Sequence, residues 1–407
     1  MTKKNEKNIQ HTLNIIYGIV FVLCLLKRTL STTMWEIPWP SAVGVYLRWA
    51  VIFLVVARLL AFRKQLSFQT MCLEVVVIVP AVLCYVNVEK YAELMEFMLL
   101  IACAFGMEFR TLLKLYVVVE TSVLVVTVAC AQLGLVENLI YRQEGYSRIS
   151  FGYIYPTDFT AHIFFLILAW ILLREGRLHY LELCAMVTLS VGCYVFCHAR
   201  TNTICILLAA VGAALLKRYL KRRGVTAGSR AKKTTLGERI LFAIGLCING
   251  FCCAFTVLLT YFYRADQPIM AKLNVLLSAR LEIGHMGFEK YNVTLLAQKI
   301  KMTGFGGSTT APDTYFYLDC SYVNMLLRYG LLVTVAVLVM FFVLAYRSIK
   351  ARTYWMLFCI ALLSVQCMIE HHMLALAYDP ILFALFTAPW TNLQYRKNVR
   401  NQSLRRS

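Results

Sequence analysis

The sequence is poor in charged residues and in polar segments. Of its 407 residues, 15% are Asp, Glu, Lys or Arg and 60% are hydrophobic, and the mean hydropathy is +0.66. Soluble proteins carry about one quarter charged residues, so this composition excludes an ordinary soluble globular protein. It is typical of a polytopic membrane protein.

Several motifs of well-known enzyme classes are missing. The chain has no Walker loop, no dinucleotide-binding GxGxxG, no HExxH and no GxSxG nucleophile elbow. Cys193, Cys197 and His198 lie close together, but no second Cys/His pair completes a zinc site. The other cysteines fall almost wholly in apolar runs, which argues against a disulfide framework. The sequence therefore predicts no metal and no cofactor.

Apolar runs of about 20 residues predict the membrane-spanning helices. The first run follows lysines and lacks a small-residue cleavage site, so it counts as a helix and not as a signal peptide. About twelve spans are predicted, at 10–26, 43–60, 72–88, 94–107, 112–134, 157–173, 181–197, 201–216, 240–261, 321–346, 354–370 and 374–390. Pro380 and Pro389 leave a re-entrant segment as the alternative for the last. The expected fold is all-α, with a single membrane domain over residues 1–407.

Basic residues outnumber acidic ones, with 41 Lys and Arg against 21 Asp and Glu. Most of them lie between apolar spans, which follows the positive-inside rule and places both termini in the cytoplasm. The basic loop at 217–239 is expected to face the cytoplasm and to attract anionic membrane lipids. Nucleic acid is not an expected partner.

In this orientation the loop at 135–155 and the large loop at 262–320 both face outward. Apolar residues at 269, 273, 276, 277 and 281 follow helical spacing, which predicts an amphipathic helix on the membrane surface. A second short helix is predicted around 291–301, and the glycines of 304–308 predict a sharp turn. The polar stretch 266–330 is the first place to look for chemistry.

Polar residues near or inside a bilayer are costly, so each one invites a functional hypothesis. The candidates at the outward edge are Arg148, Asp158, His162, Arg200, Arg280, Asp319, Tyr322, Arg328, Glu370, His371 and His372. Tyr322, like Tyr153, Tyr155, Tyr315 and Tyr317, is a candidate for stacking on sugar rings. The alternative for these aromatic residues is a role as membrane-interface anchors.

Three arginines, Arg148, Arg200 and Arg280, reach the same surface from separate loops. The planar guanidinium binds phosphate oxygens in pairs, so their convergence on one outward cavity would suit a diphosphate. Lipid-linked sugars carry a diphosphate at a membrane surface. The alternative for each arginine alone is a snorkelling side chain or a structural ion pair.

Asp319 is the candidate for the catalytic base. A sugar hydroxyl that attacks an anomeric carbon loses a proton, and a positioned carboxylate can accept it. The alternative is that Asp319 caps the helix predicted to begin at Ser321. His371 or His372 could supply the base instead, or serve only as buried polar groups.

Four patches resemble the O-antigen polymerase and ligase superfamily of bacterial membrane proteins. They are RISFG at 148–152 with PTDFTA at 156–161, HART at 198–201, SAR at 278–280 with GFG at 304–306, and YLDCSY at 317–322. The chain departs from the ligase pattern, which has His at the place of Asp319 and Gly at the place of Thr201. The Arg-x10-Gly spacing of polymerase loops is also absent. These departures favour a polymerase over a ligase.

The resemblance implies a GT-C-like membrane fold and a metal-independent, inverting glycosyltransferase in the bacterial plasma membrane. Its substrate would be a polyprenyl-diphosphate-linked oligosaccharide, polymerised into capsule, exopolysaccharide or O-antigen. Arg148, Arg200 and Arg280 would bind the diphosphate, and Asp319 would activate the acceptor hydroxyl. Flippase and chain-length regulator proteins are possible partners. The alternatives are a ligase that transfers a finished glycan to an acceptor, or a non-enzymatic polysaccharide flippase or exporter.

Overall fold

The chain folds as a helical membrane protein. The computed structural model describes residues 3–37, 41–143, 145–224, 235–310 and 312–388. The structure is 72% helical, about twice the helical share of soluble proteins. Within the described residues, nine helices are long and apolar enough to cross a membrane. Part of the basic loop, 225–234, and the basic tail after residue 388 lie outside the described residues.

The nine spanning helices include all the longest elements. They are α1 (Lys3–Leu30), α2 (Ser41–Phe62), α3 (Phe68–Asn87), α5 (Phe109–Gln132), α6 (Pro156–Arg174), α7 (Tyr180–Cys197), α8 (Arg200–Arg222), α9 (Leu236–Tyr261) and the continuous run of α12 (Ser321–Asn324), a π-helical turn (Met325–Tyr329) and α13 (Gly330–Ala351). The shorter elements are α4 (Ala92–Ala102), α10 (Pro268–Leu276), α11 (Arg280–Lys290), α14 (Tyr354–Gln366) and a β-hairpin of β1 (Ile140–Gln143) and β2 (Tyr146–Ile149).

Three of the twelve predicted spans do not form full-length helices. The prediction at 94–107 corresponds to α4, which has 11 residues, and the one at 354–370 to α14, which has 13 residues. The prediction of a helix at 374–390 is wrong for its described part. There the chain forms the 3₁₀ turns His372–Leu374 and Ile381–Leu385. Within the described ranges, the predicted count of about twelve full-length spans is therefore not confirmed.

Side chains from neighbouring helices explain how this irregular segment remains inside the bundle. Tyr116 of α5 donates to the carbonyl oxygens of Ala377 and Tyr378, at 3.2 and 2.8 Å. Arg347 of α13 donates to the carbonyl oxygen of Leu385 at 2.6 Å. Non-helical backbone is tolerated at membrane depth only where protein groups satisfy it. Hydropathy records the apolar residues of the segment but not these distant partners.

A buried arginine likewise donates hydrogen bonds to backbone carbonyl groups at the end of α4. The Nε of Arg58 donates to the carbonyl oxygen of Cys103 at 2.7 Å, and another of its nitrogens donates to that of Phe105. Arg58 is fully buried and its guanidinium lies 4.9 Å from the ring centroid of Tyr17. It therefore caps carbonyl groups that the short helix leaves without partners.

One end of the bundle gathers the segments that carry the candidate residues. The backbone N–H of Met34, after α1, donates to the carbonyl oxygen of Gly152 at 2.8 Å. Tyr91, after α3, donates to the carbonyl oxygen of Gln298 at 2.7 Å. We call this end the loop face, because the hairpin and the large loop 262–320 both lie there.

The large loop differs in part from its prediction. Its helices are α10 and α11, and the second helix predicted at 291–301 is wrong, because this segment has no regular secondary structure. Its backbone groups bond to other elements; for example, the N–H of Leu331 donates to the carbonyl oxygen of Thr294 at 2.9 Å. The backbone around Leu296 packs closely against the start of α13, and this contact requires glycine at Gly330. There φ is +84° and a Cβ would lie 2.6 Å from the carbonyl oxygen of Leu296. The predicted turn at 304–308 is present, with positive φ at Gly306 and Gly307.

Candidate functional site

Several candidate residues from separate segments meet at the loop face. We call the group formed by Arg280, Asp319, Glu370, His371 and His372 the loop-face cluster. Arg280 begins α11, Asp319 lies just before α12, and the other three follow α14. Ser321 joins two of these segments, because its hydroxyl donates to the carbonyl oxygen of Glu370 at 2.6 Å.

Arg280 lies at the centre of the cluster. Its Nε donates to the carbonyl oxygen of Ile369 at 2.8 Å. One terminal nitrogen lies 3.4 Å from a carboxylate oxygen of Glu370 and 3.7 Å from one of Asp319. The backbone before it is strained, with φ of 54° at Ser278 and 63° at Ala279. Such strain in non-glycine residues clusters at functional sites.

Asp319 is not a helix cap. The residue that caps α12 is Cys320, and no side chain makes a capping hydrogen bond there. The carboxylate of Asp319 instead lies 3.7 Å from Arg280 and 3.8 Å from Nδ1 of His371. About 19% of the Asp319 side chain is exposed, so a ligand at the loop face can reach it.

The two histidines differ in access. His371 is about 27% exposed, and its Nε2 lies 3.3 Å from the Tyr317 hydroxyl. His372 is only 1% exposed, and its Nε2 lies 3.9 Å from both Asp158 and Glu370. His371 can therefore meet a ligand directly, whereas His372 cannot.

Burial and charge change the protonation of this cluster. Burial raises the pKa of Glu370 to about 7, with Arg280 opposing the rise and Asp319 adding to it. Burial lowers the pKa of His371 to about 4, although the charge of Asp319 opposes this. For Arg280, burial acts to lower the pKa, but the charges of Glu370 and Asp319 outweigh it and raise the pKa. Near neutral pH the cluster thus contains a permanent cation, an uncharged imidazole and a carboxyl close to its midpoint.

Arg148 approaches the cluster from the hairpin. Its Nε donates to the carbonyl oxygen of Cys197 at 3.0 Å, and a terminal nitrogen donates to the Tyr155 hydroxyl at 3.2 Å. The charges of Arg148 and Arg280 both act on the pKa of Glu370 and on that of Tyr155. The two guanidinium groups therefore share neighbours at the loop face.

Four other predicted residues make no hydrogen bond or ion pair with the cluster in the part of the chain that the structure describes. Arg200 is exposed at the start of α8 and makes no side-chain hydrogen bond or ion pair with any described residue. Tyr322 is fully buried, and its hydroxyl donates to the carbonyl oxygen of Ser364. His162 is also fully buried. Arg328 lies in the π-helical turn, 4.8 Å from the ring centroid of Tyr91, although its charge acts on the pKa of His371.

An aromatic rim beside the cluster joins two of the predicted stacking candidates, Tyr155 and Tyr315, to two residues that the sequence analysis did not identify, Tyr141 and Phe305. The ring centroids of Tyr155 and Phe305 are 5.6 Å apart and stacked, and those of Phe305 and Tyr315 are 5.7 Å apart. Tyr141 completes the rim, at 4.7 Å from Tyr155. Phe305 lies within the predicted glycine turn, so its position in GFG was the one available signal.

Two cavities lie away from the cluster. One, of about 470 Å³, is lined by residues of both charges, including Lys27, Arg48 and Glu89. The other, of about 490 Å³, is an apolar groove between α9 and α13, lined by residues such as Phe251 and Phe342.

The chain matches no family model, no curated protein and no solved structure at a significant level. The geometry of the loop-face cluster, together with the sequence motifs, is therefore the basis for a functional proposal.

Proposed function

We propose that the protein polymerises polyprenyl-diphosphate-linked oligosaccharide repeat units for a bacterial capsule, exopolysaccharide or O-antigen. The observation that carries this proposal is the meeting of Arg148, Arg280 and Asp319 at the loop face. Two guanidinium groups and one accessible carboxylate, supplied by three separate segments, match an anionic leaving group and an acceptor hydroxyl.

The guanidinium groups of Arg148 and Arg280 would bind the diphosphate of the donor. Arg280 holds Glu370 and Asp319 only loosely, at 3.4 and 3.7 Å, so its N–H groups can turn to phosphate oxygens. Fixed donors in a poorly solvated site stabilise the charge that develops on the departing diphosphate. Arg200 makes no hydrogen bond or ion pair with any described residue, so we assign the diphosphate to Arg148 and Arg280 alone.

Glu370 would couple diphosphate binding to proton uptake. Its pKa is about 7 while Arg280 is its partner. An anion that draws Arg280 away leaves a carboxyl that is 2% exposed without a cation, and such a group binds a proton. We expect tighter binding of the donor as the pH falls from 8 to 6.

Asp319 would accept the proton of the acceptor sugar hydroxyl. It is more accessible than His372, and its neighbour His371 is uncharged because its pKa is about 4. His371 would orient the carboxylate, itself positioned by the Tyr317 hydroxyl at 3.3 Å. The acceptor oxygen would then attack the anomeric carbon in one displacement, with inversion.

The apolar groove and the aromatic rim suit the rest of the substrate. The groove lies at the middle of α9 and α13 and has an apolar lining, which would suit an isoprenoid chain. The rim of Tyr155, Phe305 and Tyr315 offers flat apolar faces at the loop face, where sugar rings would lie. The proposal requires the loop face to lie outside the bacterial plasma membrane and the basic end of α8 to lie in the cytoplasm, and the positive-inside rule supports this orientation. Flippase and chain-length regulator proteins would act beside it.

Reconstitution with lipid-linked repeat units tests the proposal. We expect a ladder of glycans in the presence of EDTA, and a loss of at least 100-fold for Arg280→Ala, by analogy with the removal of other charge-stabilising donors. The matched control is Lys272→Ala, a cation of α10 outside the cluster. A ladder unaffected by Arg280→Ala would contradict the mechanism. A single product on a foreign acceptor would indicate the ligase instead, and lipid-linked units trapped on the inner leaflet of a deletion strain would indicate the flippase.

A further inference from the structure

A charged cavity lies at the loop-face end of the bundle, apart from the loop-face cluster. Its volume of about 470 Å³ falls within the range of about 300–1,000 Å³ that is usual for ligand sites. The end of α1 and the first half of α2 form one side of it, and the 3₁₀ turn Glu89–Tyr91 and the start of α4 form the other. The same turn holds the large loop, because Tyr91 donates to the carbonyl oxygen of Gln298. The proposed reaction gives no role to the residues that line this cavity.

Two arginines at the floor of the cavity share one buried carboxylate. Glu96 of α4, whose side chain is 7% exposed, contacts Arg28 and lies 3.3 Å from Nε of Arg48. Arg28 also contacts Glu93, but that side chain is 71% exposed, so water screens its charge. Arg48 is fixed by a further hydrogen bond to the Tyr85 hydroxyl at 3.1 Å. The floor therefore holds two ordered guanidinium groups against a single buried carboxylate.

A lysine adds a positive charge to the floor. Lys27 of α1 is only partly exposed, and its ammonium group lies against α2, where a Cβ on Gly44 would be 2.8 Å from Nζ. Within the described part of the chain, Lys27 makes no hydrogen bond and no ion pair. A charged group that is partly removed from water is costly without a counter-charge. Lys27 and Arg48 thus offer N–H donors and excess positive charge to an anion, and phosphate oxygens suit such donors.

The mouth of the cavity has the opposite charge. Glu89 and Glu93 are both exposed there, and Lys90 is the one cation among the described residues of the mouth. Glu89 makes no ion pair with any described residue. Glu96 lies one turn further into the bundle than Glu93, which is about 4.5 Å along the helix at 1.5 Å per residue. A matching ligand would therefore have a negative group on the inner side and a positive group on the outer side.

The exposed aromatic residues of α2 place the cavity at the level of the membrane surface. Tyr46 and Trp49, on either side of Arg48 in the sequence, are 71% and 64% exposed. Aromatic residues of these two types gather at the level of the lipid headgroups. Phe53, one turn further along α2, is 73% exposed and continues the apolar surface of the span. A phospholipid headgroup is therefore a ligand that can reach the cavity without leaving the membrane.

We propose that this cavity binds a phospholipid whose headgroup carries a primary ammonium group, as in phosphatidylethanolamine. The phosphate, which is the inner charge of such a headgroup, would accept hydrogen bonds from Lys27 and Arg48. The ammonium group, which is the outer charge, would donate to Glu89 and Glu93. A choline headgroup has no N–H to donate to these carboxylates, and a glycerol headgroup has no positive charge. The site is separate from the loop-face cluster and does not depend on the proposed function.

Native mass spectrometry of the full-length wild-type protein in detergent tests the choice of lipid. Phosphatidylethanolamine, phosphatidylcholine and phosphatidylglycerol with identical acyl chains compete for the protein. We expect phosphatidylethanolamine to bind at least about tenfold more tightly than the other two, a difference of about 1.4 kcal/mol. Equal binding of the three lipids, or a preference for one of the others, would overturn the proposal. Phosphoethanolamine and inorganic phosphate lack acyl chains and should compete only weakly; displacement of the lipid by equimolar phosphate would indicate a site for a soluble anion and would also overturn it.

Two substitutions test whether the lipid lies in this cavity. Lys27→Gln should weaken the binding of phosphatidylethanolamine about tenfold, because a charge-assisted hydrogen bond to the phosphate is lost. Glu89→Gln should weaken the binding of phosphatidylethanolamine but not that of phosphatidylcholine, so the preference between these lipids should fall. Neither side chain pairs with a described residue, so both variants should keep the Tm of the wild type in the absence of lipid. The matched controls are Lys272→Gln and Glu289→Gln, exposed residues of α10 and α11 outside the cavity. A lipid preference that is unchanged in both Lys27→Gln and Glu89→Gln would refute the assignment to this cavity.

Discussion

Replacement of Glu370 by glutamine should make the protein more stable than the wild type at neutral pH. At acidic pH the two proteins should be about equally stable. The pKa of Glu370 is about 7 in the folded protein, against an ordinary value of 4.5. The native state therefore binds this proton more tightly than the unfolded state does. As the pH rises from about 4.5 to about 7, ionisation of the carboxyl progressively destabilises the native state of the wild type.

The size of the effect follows from the shift. Each unit of pKa corresponds to about 1.4 kcal/mol, so a shift of this size is worth roughly 3 kcal/mol. The side chain is 2% exposed, so solvent screening does not reduce this value appreciably. Below pH 4.5 the protonated Glu370 resembles glutamine, and the two proteins should be about equally stable. Above pH 7 the Glu370→Gln variant should be the more stable one.

Thermal unfolding in detergent, measured at half-unit steps from pH 4.5 to 8, gives the difference between the two proteins directly. Glu289→Gln is the matched control, because its carboxylate is 64% exposed and no pH-dependent difference is expected. If Glu370→Gln has a lower Tm than the wild type by the same amount at every pH, Glu370 is an ordinary ion-pair partner of Arg280 and the reasoning is wrong.

Four further substitutions probe other features. Gly330→Ala should cost at least about 2 kcal/mol of unfolding free energy, because its Cβ would lie 2.6 Å from the carbonyl oxygen of Leu296; an unchanged Tm would contradict this. Arg58→Met should cost about 3 kcal/mol, because it leaves buried carbonyl groups at the end of α4 without donors, and the loss should appear as a lower Tm at all pH values. Arg148→Ala should weaken the binding of a polyprenyl diphosphate about tenfold in a vesicle assay, whereas Arg200→Ala should not; equal effects would show that the two arginines act alike.

Hydropathy predicts the long helices because a membrane span depends on the composition of one contiguous segment. It fails at 374–390, where the residues are apolar enough but Tyr116 and Arg347 supply distant donors that make an irregular backbone possible. The helix predicted at 291–301 fails for a similar reason, because the carbonyl groups of Thr294 and Leu295 accept from the distant N–H groups of Leu331 and Leu332. A hydropathy average over a short stretch of sequence cannot detect hydrogen-bond partners that are distant along the chain.

The candidate site also contains features that the sequence predicts and features that it does not. The outward placement of Arg280 and Asp319 follows from helix counting, and the structure brings them within 3.7 Å of each other. Arg200, by contrast, makes no hydrogen bond or ion pair with any described residue, and sequence does not specify the contacts of a side chain at a helix start. Nδ1 of His162 lies 2.9 Å from a carboxylate oxygen of Glu120, a contact that was missed because Glu120 stands alone in an apolar run. A carboxyl in the middle of a spanning helix was the signal that could have identified it.

The most direct measurement of the central claim is photo-crosslinking in vesicles. A polyprenyl-diphosphate oligosaccharide carrying a photoreactive group on the sugar next to the diphosphate is irradiated with the protein, and labelled peptides are identified by mass spectrometry. We expect labels in the peptides that contain Arg148 and Arg280, and their loss in the double Arg148→Ala, Arg280→Ala variant. Labelling confined to the cavity beside Lys27 and Arg48, unchanged in that variant, would contradict the account.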